Sequence, residues 1–212
     1  MDVRSFTVGP VAENAYILRR DGSDHGLVVD PGDEAERILG AAEALGVTIE
    51  AILITHCHFD HVGAVAPVAE ATGAPVYCPE IEVGVLADIM SFVPWPGIGP
   101  YESYNADEKV RGGERLELAG LDIDVVFTPG HSPGHVTYAI PDEAALFSGD
   151  VLFQGSVGRT DLPGGDWATL AESIRSLLDA YPDETTVYPG HMGITTLGAE
   201  RASNPFLAEL AR

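Results

Sequence analysis

The chain has 212 residues, two cysteines and a formal net charge of −22. Its length suits one domain with a sizeable core, and no apolar run approaches the ~20 residues that span a bilayer, which argues against a disordered chain or a membrane protein. So acidic a surface repels phosphate backbones and counts against nucleic acid as a partner, while two cysteines are too few for a disulfide framework. The opening Met1-Asp2-Val3-Arg4-Ser5 lacks the apolar stretch of a secretory signal. A cytoplasmic, single-domain protein (residues 1–212) is therefore expected, with Cys57 and Cys78 as small buried side chains.

Residues 3–8, 15–18 and 26–30 read as opening strands. Residues 34–45 read as a helix, with Ala35, Ile38, Leu39, Ala42 and Leu45 on one face, Asp33 as its cap and Gly46 as its stop. Residues 51–54 form a short apolar strand. A helix over 62–71 follows, which Pro67 can kink or restart, and 76–77 is another strand. Over 89–110 the pattern dissolves among Phe92, Trp95, Tyr101 and Tyr104 interleaved with prolines and glycines. A loop of that length either shapes a substrate pocket or packs on the surface. Strands at 121–127, 135–140 and 144–147, a helix at 167–178, a strand at 185–188 and a short terminal helix complete the chain. Strands and helices alternate in both halves, so an α/β fold with helices covering sheet faces is expected.

Five of the seven histidines fall in three clusters, each directly after an apolar strand. The first is His56-Cys57-His58-Phe59-Asp60-His61, the second ends Thr128-Pro129-Gly130-His131, and the third ends Tyr188-Pro189-Gly190-His191. Asp150 follows Ser148-Gly149 at another strand end. Ligands gather at such strand ends in α/β sheets. Imidazole and carboxylate suit zinc, iron or manganese. One residue separates His56 from His58, so a turn can aim both at one ion, with His131 as third ligand. Asp60, His61 and His191 can hold a second ion, and Asp150 has two oxygens with which to bridge both. That leaves open positions, as a catalytic centre requires. A lone His-x-His is weak evidence, but this ordered set is specific.

The chain resembles the metallo-β-lactamase superfamily, and within it the glyoxalase II branch of hydroxyacyl-thiol hydrolases. The likeness runs through Val29-Asp30-Pro31-Gly32, the 56–61 motif, Thr128 to His135, Phe147-Ser148-Gly149-Asp150, Gly158-Arg159-Thr160-Asp161 and Tyr188 to His191. It implies a four-layered αββα sandwich with two divalent metals at one edge, zinc foremost and iron or manganese as alternatives. The family's ligand roles, carried onto these positions, agree with the assignment from spacing.

The chemistry then expected is attack on an acyl carbon by a metal-bridging hydroxide that Asp60 orients, with a small-molecule acyl-thiol as substrate. Cys57, between two ligands, reads as packing rather than a nucleophile. His135 supports the metal loop, and Asp30 hydrogen-bonds a ligand histidine or its loop. Arg159 either pairs with Asp161 or reaches a substrate carboxylate. Full-length glyoxalase II enzymes carry a helical C-terminal domain that contacts glutathione; residues 192–212 are too few to supply it, which leaves the thiol open. The main rival is a mononuclear-iron persulfide dioxygenase, which shares Gly-Arg-Thr-Asp but ends its last metal motif differently from Pro189-Gly190-His191-Met192-Gly193. A lactonase differs only in pocket shape. A phosphodiesterase is disfavoured by charge, and nothing in the ligand set favours a non-catalytic binding module.

Overall fold

The computed structural model describes residues 1–93 and 95–210, of which Glu209 and Leu210 are placed in backbone only. Two six-stranded sheets stack face to face. The first contains β1 (Asp2–Val8), β2 (Glu13–Arg19), β3 (His25–Val29), β4 (Thr48–Leu53), β5 (Val76–Pro79) and β6 (Glu108–Val110) in that order. Its first three strands are antiparallel and its last three continue from β3 in parallel. The second is built from β7 (Arg115–Leu118), β8 (Leu121–Phe127), β9 (Val136–Ile140) and β10 (Ala145–Gly149), and, after the small hairpin β11 (Leu152–Phe153) and β12 (Ser156–Val157), from β13 (Thr186–Pro189) and β14 (Thr195–Thr196). Its order is β14-β13-β10-β9-β8-β7, with β10 and β13 parallel.

Alternation along the strands sorts side chains into three cores. Ile17, Val28, Ile52 and Ile54 face outward onto α1 (Ala35–Leu45), α2 (Phe59–Val62) and α3 (Val65–Thr72). Their neighbours Leu18, Leu27, Val29 and Leu53 face inward, against Ile123, Val125, Tyr138 and Phe147 of the second sheet. Ala139, Leu146 and Val187 point to the far side and meet Leu170, Ile174 and Leu177 of α5 (Trp167–Ala180) and Leu197 of α6 (Leu197–Ser203). Each central strand is thus buried on both faces, which explains its unbroken apolar run. The result is the expected α/β fold in four αββα layers. The short α4 (Val83–Leu86) and the terminal α7 (Pro205–Leu210) complete the helices.

Several boundaries differ from expectation. Asp33 does not cap α1: the chain passes through a left-handed Glu34 (φ 54°), and the Asp33 carboxylate instead accepts from the Glu34 N–H at 2.7 Å. Gly46 does end that helix, its N–H reaching the carbonyls of Ala42 and Glu43 from φ 64°. The helix expected over 62–71 is two helices, α2 beginning at Phe59 and α3 at Val65. Pro67 sits in the first turn of α3, where its missing N–H costs nothing. The stretch 89–110 is not wholly loop, because a turn of 3-10 helix covers Ile89–Ser91 and its end joins the first sheet as β6. Ala144 is a left-handed turn residue (φ 48°), and β10 begins one residue later.

Candidate metal centre

The carboxyl ends of β3, β4, β8, β10 and β13 and the start of β2 meet at one edge of the sandwich. Backbone bonds stitch the two sheets there, from Val136 N to Thr55 O (2.9 Å) and from Asn14 N to Gly190 O (2.7 Å). All seven candidate ligands lie at this edge. His58 Nδ1 is 3.1 Å from His56 Nε2 and 2.8 Å from His131 Nε2. A few Å away, Asp60 Oδ2 is 3.2 Å from His191 Nε2 and 3.8 Å from His61 Nε2. Asp150 lies between the groups, with Oδ1 3.3 Å from His61 Nε2, and Oδ2 3.4 Å from His131 Nε2 and 3.6 Å from His191 Nε2.

Hydrogen bonding on the far side of four of the five rings decides which nitrogen faces the centre. Thr55 donates its hydroxyl to Asp30 Oδ2 (2.6 Å), so it can only accept from His56 Nδ1 (3.1 Å), and His56 Nε2 is left bare. His61 Nδ1 donates to Asp30 Oδ2 at 3.0 Å, His131 Nδ1 to the Arg159 carbonyl at 2.7 Å, and His191 Nδ1 to the Ala12 carbonyl at 3.3 Å. In their neutral forms these four imidazoles present Nε2 lone pairs, the arrangement that outer hydrogen bonds impose on metal-binding histidines. A further convergence of Asp30, His56 and His61 is consumed by these bonds.

Asp30 adopts φ 45°, unusual for a non-glycine residue, and is held there by the Thr55 N–H (2.7 Å to Oδ1). His135 accepts from the Asp150 N–H at Nε2 (3.0 Å), so its proton sits on Nδ1 and is donated to Thr128 Oγ1 (3.0 Å). It supports the Asp150 loop and is not itself turned to the centre. Gly190 has no room for a side chain: a Cβ would lie 2.6 Å from His61 Cε1 and closer still to Asp150 Oδ1.

The electrostatics call for a cation. Burial and then mutual repulsion keep His56 neutral, and burial followed by His131 lowers His58 to about 4. At the other group, burial works against ionising Asp150, yet His61 and His131 hold it well below the ordinary carboxylate range. Burial likewise opposes charge on His61, but Asp150 and Asp60 raise it well above its usual value. His61 Nε2 and Asp150 Oδ1 are buried without a hydrogen-bond partner among the described residues. Ligands about 2.0–2.1 Å from a common ion at tetrahedral to right angles stand about 2.9–3.4 Å apart, close to most of the separations seen. Bare nitrogens, orphaned oxygen and spacing all fit two divalent cations.

A family model described as the metallo-β-lactamase superfamily matches residues 8–191. The chain belongs to the metallo-β-lactamase superfamily. Within it, the chain is 41% identical over 212 residues to a probable metallo-hydrolase, YqgX, of Bacillus subtilis, covering 98% of each protein. It is 35% identical over 209 residues to the hydroxyacylglutathione hydrolase GloC of Haemophilus influenzae, covering 98% of each. The solved B3 metallo-β-lactamase BLEG-1 superposes with a TM-score of 0.92 at 39% identity, over 97% of this chain and 99% of that one. TTHA1623, solved in a di-iron-bound form, gives 0.80 at 43% identity over 96% and 100%.

Around this superfamily site, several polar residues escape a sequence reading. Glu82, buried on a helical turn before α4, accepts from the Cys57 N–H (2.5 Å), the Gly134 N–H (2.9 Å) and the Ser132 hydroxyl. It clips the loop of His56–His61 to the loop of His131–His135. Asn14 Nδ2 donates to the carbonyls of Pro189 (3.2 Å) and Met192 (2.9 Å), and the Tyr16 hydroxyl donates to Pro189 (2.7 Å), holding the third loop. Glu13, wholly buried beside His61, is pushed well above the carboxylate range by burial. The only signal was a polar Glu-Asn pair opening an apolar strand. Arg159 pairs with Asp161 at 2.6 and 2.8 Å, both side chains exposed at the edge of the cleft, while its carbonyl holds His131. Cys57 is buried with its thiol 3.4 Å from that of Cys78, and burial pushes it well above the ordinary thiol range, as packing requires.

Proposed function

We propose that this metallo-hydrolase is a binuclear thioesterase that hydrolyses an acyl-thiol. His56, His58 and His131 would hold one divalent ion and Asp60, His61 and His191 the other, with Asp150 facing both. Zinc is the first choice, and iron or manganese fit the same donors. Bound there, two such cations acidify a water and polarise a carbonyl.

The observation that carries this reading is the position of the ligands in the cleft. His58, Asp60, His131, Asp150 and His191 line it, whereas His56 and His61 are buried behind. A substrate can therefore approach both ligand sets from one side. Asp60, kept ionised by His61 and His191 against the effect of burial, can accept a hydrogen bond from the attacking water and aim it at the acyl carbon. Phe92 and Trp95, from the 89–110 segment, line the same cleft and support its reading as a substrate-pocket loop. The three cores share the strands of two sheets from end to end, which supports one domain over residues 1–212. Two free, buried thiols suit a reducing cytoplasm.

The test is thiol release from a panel of thioesters, S-D-lactoylglutathione included, with metal content measured on the same sample. Turnover with about two metals per chain, abolished by chelation and restored by zinc or iron, is expected. One iron per chain with sulfide-dependent oxygen uptake would replace this reading by a persulfide dioxygenase. Two metals with lactone opening but no thiol release would make the protein a lactonase.

A further inference from the structure

The cleft above the metal ligands has a volume of about 1020 Å³, at the upper end for a small-molecule site. Its floor is polar and its walls are not. Ile81, Val85, Phe92, Trp95, Phe153 and Met192 line it, drawn from four separate stretches of chain. Four of them are large apolar residues left unusually open to solvent: Ile81 62%, Met192 57%, Phe92 56% and Trp95 43%. Trp95 is also anchored, edge-on to Phe59 at 5.7 Å, and Phe59 in turn stacks on Tyr101 at 6.0 Å. Phe153 stands edge-on to His191 at 5.8 Å, so the apolar wall reaches the metal ligands themselves. An apolar surface clustered around a site, rather than scattered singly, marks a binding surface.

Charge sets the other half of the selection. Among the described lining residues the one arginine or lysine is Arg159, and one edge of its guanidinium, Nε and Nη2, is taken by Asp161. Glu82 adds a carboxylate to the same lining, and the whole chain carries −22. Beyond the metal centre, a thiol bearing several carboxylates would find no side-chain cation in the cleft except the already paired Arg159, and a repulsive field around it. A neutral carrier with an apolar acyl chain meets neither obstacle, and laying the chain along the wall removes exposed apolar surface from water.

We propose that the substrate is a thioester with an extended apolar acyl chain on an uncharged thiol, the chain lying against the wall formed by Ile81, Phe92, Trp95 and Phe153. This rests on the thioesterase reading above. Each methylene buried on that wall in the transition state raises kcat/KM by up to about fourfold.

The experiment uses metal-loaded protein and S-acyl-N-acetylcysteamine thioesters from acetyl to octanoyl, with S-D-lactoylglutathione alongside, reading thiol release. A rise in kcat/KM of at least about tenfold from acetyl to octanoyl, with lactoylglutathione below octanoyl, is expected. Phe92→Ser, at an exposed position where folding is not at stake, should lower the octanoyl-to-acetyl ratio several-fold. A binding readout stands apart from turnover. The non-hydrolysable thioether S-octyl-N-acetylcysteamine should change the Trp95 fluorescence of metal-free protein saturably, and Trp95→Phe should abolish the change. A flat or falling profile with brisk hydrolysis of the charged thioester would overturn the apolar-chain assignment and leave the thioesterase intact. No thiol release from any ester by protein holding two metals would overturn both.

Discussion

Replacing Glu82 by alanine isolates the clip between the first two metal loops. Glu82 is 5% exposed and accepts from two backbone N–H groups and one hydroxyl. Truncation leaves the N–H groups of Cys57 and Gly134 without acceptors, while the Ser132 hydroxyl can rotate to another partner. An orphaned buried donor costs about 1–3 kcal/mol, and water entering from the cleft relieves part of it, so a loss of about 2–4 kcal/mol is expected. In a chain of this size that lowers Tm by about 6–12 °C. Because the two loops carry His56, His58 and His131, affinity for the ion at those histidines should also fall, by about 10- to 100-fold. Glu82→Gln keeps one acceptor oxygen but sets an amide against a backbone N–H, and should fall between. Thermal unfolding of metal-free protein gives the first quantity, and a zinc titration against a competing chelator gives the second. A variant that loses Tm yet binds both ions with native affinity would reduce the clip to a purely structural contact. An unchanged Tm would refute the hydrogen-bond accounting itself.

Three other perturbations separate the roles assigned to the site. Asp150→Ala removes the carboxylate facing both ligand groups, so metal content should drop below one per chain and turnover should fall by more than about 100-fold; two retained ions with near-native rate would defeat the bridging role. Asp30→Asn tolerates the left-handed backbone but places an amide opposite the N–H of His61, driving that ring to its other tautomer. Stoichiometry should then move from two ions towards one, and calorimetry showing two native-affinity sites would count against the tautomer argument. Cys57→Ala should keep turnover within about twofold, and iodoacetamide should label native protein slowly because the buried thiol is rarely ionised. Complete inactivation by this substitution, in a folded, metal-replete protein, would reinstate a nucleophilic role.

The convergence of the seven candidate ligands was legible in the sequence because coordination chemistry restricts residue type and because each set follows an apolar strand that is itself legible. His56 to His61 forms one contiguous signal, and Ile52-Leu53-Ile54 before it can hardly be anything but a doubly buried strand. Glu82 carries no such signal: among Glu80, Ile81 and Glu82 nothing local distinguishes the buried carboxylate from the exposed one. Its meaning comes from Ser132 and Gly134, some fifty residues away. Asn14 and Tyr16 are equally silent, since their partners are carbonyls near position 190. β6 and β7 were missed because edge strands bury only one side, and in Arg115–Leu118 the alternation is too short to register. The cap at Asp33 failed for a backbone reason, the left-handed turn at Glu34 having taken its oxygen out of reach of the helix.

Each ligand loop is held by a residue from elsewhere in the chain. Asp30 of the β3 end fixes His61 and, through Thr55, His56. The carbonyl of Arg159 fixes His131, that of Ala12 fixes His191, and His135 steadies Asp150. These supports span both sheets, so the ligand geometry exists only when the two sheets are stacked. A divalent ion held by this geometry would therefore favour the folded chain over the unfolded one, and its binding free energy would add to the stability of the sandwich. The same logic accounts for the carboxylates crowded at this edge. Glu13, Asp30, Asp60 and Asp150 lie together around His61, a costly arrangement in a metal-free protein. Two divalent ions held as proposed above would be drawn by the ionised Asp60 and Asp150, so the acidic edge suits bound cations better than it suits the empty fold.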